Sequence, residues 1–265
     1  MKKTILQLII LVAVFFGIYL SLSKIDWMGV FKIEKATNKT EKKLGDAVWD
    51  LYQKTEKENK DSKALKSLDS IVTKICKDND IDRKKILLHL IEKDEINAFA
   101  MPGNHLVVYI GLIKAADNPE EVAGVLSHEI AHIELDHVMK KIVREIGLST
   151  LISITSGNGS GEAIKRITKS LSSLAFDRKL EKDADIKAVD YMVKANVNPN
   201  ALADFLYKLS EDKGENTRYE TWLSNHPDSR ERSEYIVEYA KGKVEKPVPV
   251  IDSLQWNQLK KIAEE

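Results

Sequence analysis

His128, Glu129 and His132 stand in one H-E-x-x-H stretch inside the apolar run EEVAGVLSHEIAHIELDHV. The stretch constrains the fold tightly, because it demands a buried helix that carries three polar side chains. Residues four apart on an α-helix share a face and are separated by about 6 Å of rise, so the two imidazoles can grip one ion. Glu129 is offset from His128 by about 100° of helix rotation. Its carboxylate therefore sits beside such an ion, as suits a base acting on a water held there. Two imidazoles and a carboxylate form a zinc-type donor set.

A five-residue pattern also arises by chance, so context decides. Val122, Val125, Leu126, Ile130 and Ile133 keep helical spacing, and Asn118-Pro119-Glu120-Glu121 supplies a cap, a first-turn proline and two acids. Polar groups buried unpaired are costly, and a metal would pair these. Catalytic zinc keeps three protein ligands and one open position. His137 does not supply the third. On a continuous helix it lies about 180° from His128, and Leu135 and Val138 stand where the Gly and third His of a longer motif would fall. Glu181 is the better candidate. Leu180, Ala184, Ala188 and Tyr191 predict a second helix on which Glu181 and Asp185 share a face. Glu181 would enter the metal shell, and Asp185 would accept the free ring N–H of a ligand His. The expectation is one Zn²⁺ per chain on His128, His132 and Glu181.

Four stretches, NAFAMPGNHLVVYIGLI (97–113), HEIAHIELDH (128–137), the ExxAD of Glu181–Asp185, and SNHPDSRER (224–232), follow in order. On these the chain resembles the zinc metallopeptidase family of the CAAX prenyl protease, HtpX, BepA and the Oma-type proteases, over roughly 84–241. Asn104 replaces a Gly of the family pattern, Asp183 a Glu, and Asp177 a frequent Ser. None of these removes a ligand or the base. The resemblance implies an α+β, mainly helical, zincin-like domain with a small sheet packed beside the active-site helix. It implies that Asn97–Met101 is an edge strand beside the metal, with Asn97, Ala98, Phe99 and Ala100 receiving the substrate as an added strand. It also singles out His226 and Arg232. Pro227 sets a turn that can hang over a cleft. Arg232 carries a fixed positive fork suited to a developing oxyanion, or else joins a surface salt bridge among Asp228, Arg230, Glu231 and Glu234.

The remaining sequence frames this site. Lys+Arg and Asp+Glu are equal at 41 each, so no net field points to nucleic acid. The lone Cys76 forms no internal disulfide and reads as a small buried apolar residue. Lys2-Lys3 precede the apolar run Ile5–Leu22, read as an uncleaved signal anchor spanning the membrane once. Its orientation is weakly marked, because Lys24, Lys32, Lys35 and Lys39 lie on the far side. By resemblance and by this export-like start, the catalytic domain is expected outside the cytoplasm, on the periplasmic side in a bacterium. The expected divisions are the anchor (1–24), a charged helical connection or first helix (25–60), the metallopeptidase domain (61–241), and a linker with a closing helix (242–265). Ile86–Ile91 and His105–Ile110 read as strands. Ile146–Ile154 is too short to span a bilayer and reads as core.

The expected function is zinc-dependent endopeptidase action on protein or peptide substrates, in envelope or membrane protein quality control. Two alternatives remain. A non-catalytic holdase with a structural zinc would have no need of the Glu129 carboxylate. A prenyl-protein protease would need several spanning helices to shelter a lipid, where this chain offers one.

Overall fold

The computed structural model describes residues 33–158, 161–173, 176–211 and 220–265, with positions 7, 14, 16 and 17. The chain divides into two compact units, Met1–Glu41 and Lys42–Glu265. The anchor expected over Ile5–Leu22 lies, but for four positions, outside the described residues. Among the described residues no helix is long and apolar enough to cross a membrane. The architecture that follows is that of Lys42–Glu265.

A helix over Ile33–Tyr52 (α1) and one over Ser62–Asp78 (α2) precede three strands, Leu87–Ile91 (β1), Ala98–Met101 (β2) and His105–Tyr109 (β3). Helices then follow over Ile110–Ala115 (α3), Pro119–Glu134 (α4), His137–Ile146 (α5), Leu148–Ser153 (α6), Gly161–Ser173 (α7), Arg178–Lys194 (α8), Asn200–Glu211 (α9), Glu220–Asn225 (α10), Ser229–Ala240 (α11) and Ser253–Glu264 (α12). This is the mainly helical α+β arrangement expected.

The sheet order is β1-β3-β2. β3 pairs parallel with β1, Leu87 opposite His105, and antiparallel with β2, Ala98 opposite Val108. β2 is therefore an edge strand. Pro102-Gly103-Asn104 turns the chain from β2 to β3 with Gly103 at φ 73° and Asn104 at φ 64°. Asn tolerates this left-handed region better than most residues, which is why Asn104 can replace a glycine here.

Side chains alternate across a strand, so β3 feeds two cores. Leu106 and Val108 join α2, α4, α8, α9 and α12 through Leu68, Leu126, Val189, Phe205 and Leu259. Val107 and Tyr109 face Leu44, Val48 and Tyr52 of α1 and Val138, Met139 and Ile142 of α5. Of the two expectations for this segment, connection or first helix, the second half of α1 fits the latter, since Leu44, Val48 and Tyr52 are core residues. Val250, Ile251, Leu259 and Ala263 likewise belong to the first core, so the compact unit extends past 61–241 on both sides. Leu151 packs into the second core, while neighbouring Ile152 is exposed.

Candidate metal centre

α4 begins as its sequence requires. Asn118 Oδ1 accepts from the Glu121 backbone N–H at 3.0 Å and Pro119 occupies the first turn. Gly124 lets α9 approach closely, since a Cβ there would stand 2.9 Å from that of Leu202. α8 is capped by Asp177, whose Oδ1 accepts from the Leu180 N–H at 3.0 Å. Its fully buried Ala184 and Ala188 keep the face toward α4 small. The two helices bring one turn of histidines opposite one turn of carboxylates.

His128, His132, Glu181 and His226 are all buried, and each offers one ligand atom within 4.8 Å of the others. The Nε2 atoms of His128 and His132 face each other at 3.0 Å. Glu181 lies 3.6 Å from His128 Nε2 and 3.4 Å from His132 Nε2. The second ring nitrogens are engaged elsewhere. His128 Nδ1 sits 2.8 Å from Asp185 Oδ1, and His132 Nδ1 sits 3.0 Å from His137 Nδ1. Both Nε2 atoms are thereby left facing Glu181 and each other. Glu181 and Asp185 face the guanidinium of Arg232, and the two imidazoles with the Glu181 carboxylate leave donor atoms aimed at one another that a metal ion would pair. The donors and their spacing therefore fit zinc.

Glu129 stands beside this group. Its Oε2 accepts from the Ala100 backbone N–H at 3.1 Å, while its Oε1 has no hydrogen-bond partner. Oε1 lies 3.5 Å from His226 Nε2. Burial raises the Glu129 pKa, against the pull of His226 and His128. Burial opposes charge on His128 too, but Asp185 and Glu181 outweigh it and push its pKa up to about 9. A cation bound at Nε2 displaces that proton, which couples metal uptake to proton release. His132 is held well below its ordinary value by burial. Burial would raise Glu181 and Asp185, yet His226 and Arg232 hold Glu181, and Arg232 and His128 hold Asp185, well below the usual carboxylate range.

Three expectations change in detail. His137 lies outside the group of candidate donors, but the continuous helix used to place it does not exist. The chain turns left-handed at Asp136 (φ 56°), and α5 swings the His137 ring back onto His132. Arg232 is buried and takes no part in the surface pairs of its neighbours, where Arg178 meets Asp228 and Arg230 meets Glu234. Its Nε and Nη2 grip Asp185 at 2.8 Å each, and Nη1 lies 2.7 Å from Glu181. The fork thus faces two carboxylates rather than an open substrate position. Asn97–Ala100 are fully buried, and the Ala100 N–H is already held by Glu129. His226 does reach the centre, with Nδ1 3.1 Å from Glu181 Oε2.

Other contributors carry no sequence signature. Phe176 stacks on His132 at 3.9 Å between centroids and 17° between planes. Trp222 lies 4.5 Å from the His226 ring. Tyr235 donates to Asp185. Lys141 is buried with its ammonium 4.3 Å from the Phe176 ring, and burial lowers its pKa to about 8.

Comparison with known proteins agrees with this geometry. A model described as peptidase family M48 matches residues 62–240. The mitochondrial metalloendopeptidase OMA1 of Schizosaccharomyces pombe is 29% identical over 154 residues, covering 57% of this chain and 46% of that protein. The metalloprotease LoiP of Escherichia coli is 28% identical over 165 residues, 60% of this chain and 64% of that protein. The beta-barrel assembly-enhancing protease of Escherichia coli is 28% identical over 150 residues, 52% of this chain and 31% of that protein. The chain thus spans between about a third and two thirds of the length of these relatives.

Proposed function

The chain belongs to peptidase family M48, and from that premise we propose that it is a zinc-dependent metalloendopeptidase acting on protein substrates. One observation carries the reading: Glu129 lies beside the cluster of His128, His132 and Glu181, its Oε1 free of hydrogen bonds and 3.5 Å from His226 Nε2. A zinc ion held by those three residues would supply a Lewis acid that lowers the pKa of a water to about 7 and polarises a scissile carbonyl. Glu129 Oε1 takes the proton of the attacking water and returns it to the leaving amine. A carboxyl whose pKa is raised by burial suits that exchange. Asp185 and His137 orient the two imidazoles. Arg232 acts as a positioning residue, fixing Glu181 and Asp185 together.

The substrate lies along β2 as an added strand, with Asn97, Ala98, Phe99 and Ala100 as its partners. Glu129 exchanges the Ala100 N–H for its water when the peptide binds. His226 would be a fourth residue able to hold the metal at rest and would give way to substrate, with Trp222 seating its ring. The run Ile5–Leu22 anchors the protein in a membrane with the catalytic domain outside the cytoplasm. The role is quality control of envelope or membrane proteins, in keeping with a relative named for assisting β-barrel assembly.

The test uses the purified full-length protein with casein as an unfolded substrate, with and without chelator. Glu129→Gln should keep its metal while cleavage falls by about 10²–10⁴-fold. Cleavage at the wild-type rate by that variant would remove the general base from the mechanism. A wild type that cleaves no unfolded substrate would leave the metal a structural role.

A further inference from the structure

A second set of charged side chains lies against the metal centre without belonging to it. Lys140, Lys141, Arg144 and Glu145 of α5 and Phe176, Asp177 and Leu180 at the start of α8 line a cavity of about 270 Å³. Its inner wall is Phe176, the same ring that stacks on His132. The His132 ring lies 3.9 Å from the Phe176 centroid and the Lys141 ammonium 4.3 Å from it. Two groups that near one centroid cannot share a face, so the ring separates imidazole from ammonium. Lys141 therefore stands roughly 8 Å from a metal-ligating histidine, two to three residues of extended chain at about 3.3 Å each.

The charges are graded from rim to floor. Arg144 is exposed and paired with Asp177 at 2.9 Å. Lys140 is exposed and donates to the Leu135 carbonyl at 3.0 Å. Lys141 is only 6% exposed. Burying a lysine ammonium is costly. The Phe176 face offsets part of that, the carboxylates of Glu129, Glu181 and Glu145 attract it, and Lys141 has a further contact of its own. The result is a positive floor beside the site of reaction, with room above it for a side chain.

Resting on the peptidase reading, we propose that this cavity is a substrate subsite that recognises a carboxylate two or three residues from the scissile bond, with Lys141 as its specificity-determining residue. The carboxylate comes either from an internal Asp or Glu side chain or from the free end of the substrate chain. In either case a charge-assisted hydrogen bond forms in a sheltered place, where it discriminates strongly.

Two series of alanine-rich decapeptides distinguish the sources. One is blocked at both ends and carries a single Glu, or Gln as control, at each position in turn. The other contains only Gln and ends in a free carboxylate. Each is measured for kcat/KM with the zinc-loaded full-length protein. Each is also measured for binding, by fluorescence anisotropy, to the Glu129→Gln variant. A single Glu position, or the free end, should improve both readouts about tenfold. Lys141→Met should abolish that gain, Lys141→Arg should retain it, and Lys141→Glu should transfer the preference to Lys-containing peptides. Lys141→Gln replaces Lys141→Met if the latter fails to give a cooperative melt. Equal treatment of Glu and Gln peptides in both series, or a gain that survives in Lys141→Met, overturns the subsite. A Lys141-dependent binding preference without any cleavage would sustain the subsite and remove the peptidase reading. Cleavage without preference would do the reverse.

Discussion

Asp185 joins the two halves of the candidate centre, touching His128 on one side and Arg232 on the other. A neutral amide in its place would leave the buried guanidinium short of a partner and weaken the hold on the imidazole. Asp185→Asn should therefore lower zinc affinity about 10–100-fold and destabilise the fold by roughly 3–5 kcal/mol. Competition with a chromophoric chelator reads the first and urea unfolding the second, and unchanged zinc affinity would dissociate Asp185 from the metal. His226 makes the opposite prediction. If it occupies the centre at rest, His226→Ala should keep or raise kcat/KM on casein, whereas a loss of activity would place the ring in the reaction itself. The sequence made Glu181 and Asp185 legible because the four-residue spacing fixes a shared helical face. His226 was legible only through resemblance, and Phe176 and Trp222 not at all. A ring that stacks on a histidine leaves no periodic trace, since its position is set by tertiary contact rather than by its own helix.

Elements were read most securely where local chemistry sets their ends. The Asn118-Pro119 start of α4 falls where its cap and proline require. Its finish is hidden in the sequence because apolar spacing runs on through Val138, while one left-handed residue, Asp136, breaks the helix without any Gly or Pro to announce it. α1 reads from sequence as either a connection or a first helix for a different reason. Its Leu44, Val48 and Tyr52 form a narrow stripe, one turn apart, within a heavily charged sequence. Gly45 shows how tightly that stripe is pressed onto the sheet, since a Cβ there would stand 2.1 Å from the Pro102 carbonyl oxygen. Gly45→Ala should accordingly force α1 off the β2–β3 turn and cost about 1–3 kcal/mol, against the small gain alanine brings to a free helix. A urea midpoint equal to or above wild type would show that α1 packs more loosely than this contact requires.

At the scale of the whole molecule, the candidate centre draws on four separate stretches: α4, α8, the turn bearing His226, and α11. It lies buried beside the edge of the sheet. The donors His128, His132 and Glu181 come from elements that only the fold brings together, so metal binding and folding should be linked. Zinc at about 100 times its dissociation constant stabilises a binding-competent fold by about 2.7 kcal/mol. For a domain of this size that corresponds to a rise in Tm of roughly 5–10 °C. Chelator should reverse it. Glu181→Gln, which removes a ligand, should show a much smaller zinc-dependent rise. His137→Gln should show an intermediate one, because it removes the partner of His132 Nδ1 without touching a ligand atom. Thermal scans of the three proteins across a zinc series test this directly. A Tm that ignores zinc in the wild type, or rises equally in Glu181→Gln, would mean that the three donors do not bind the ion together.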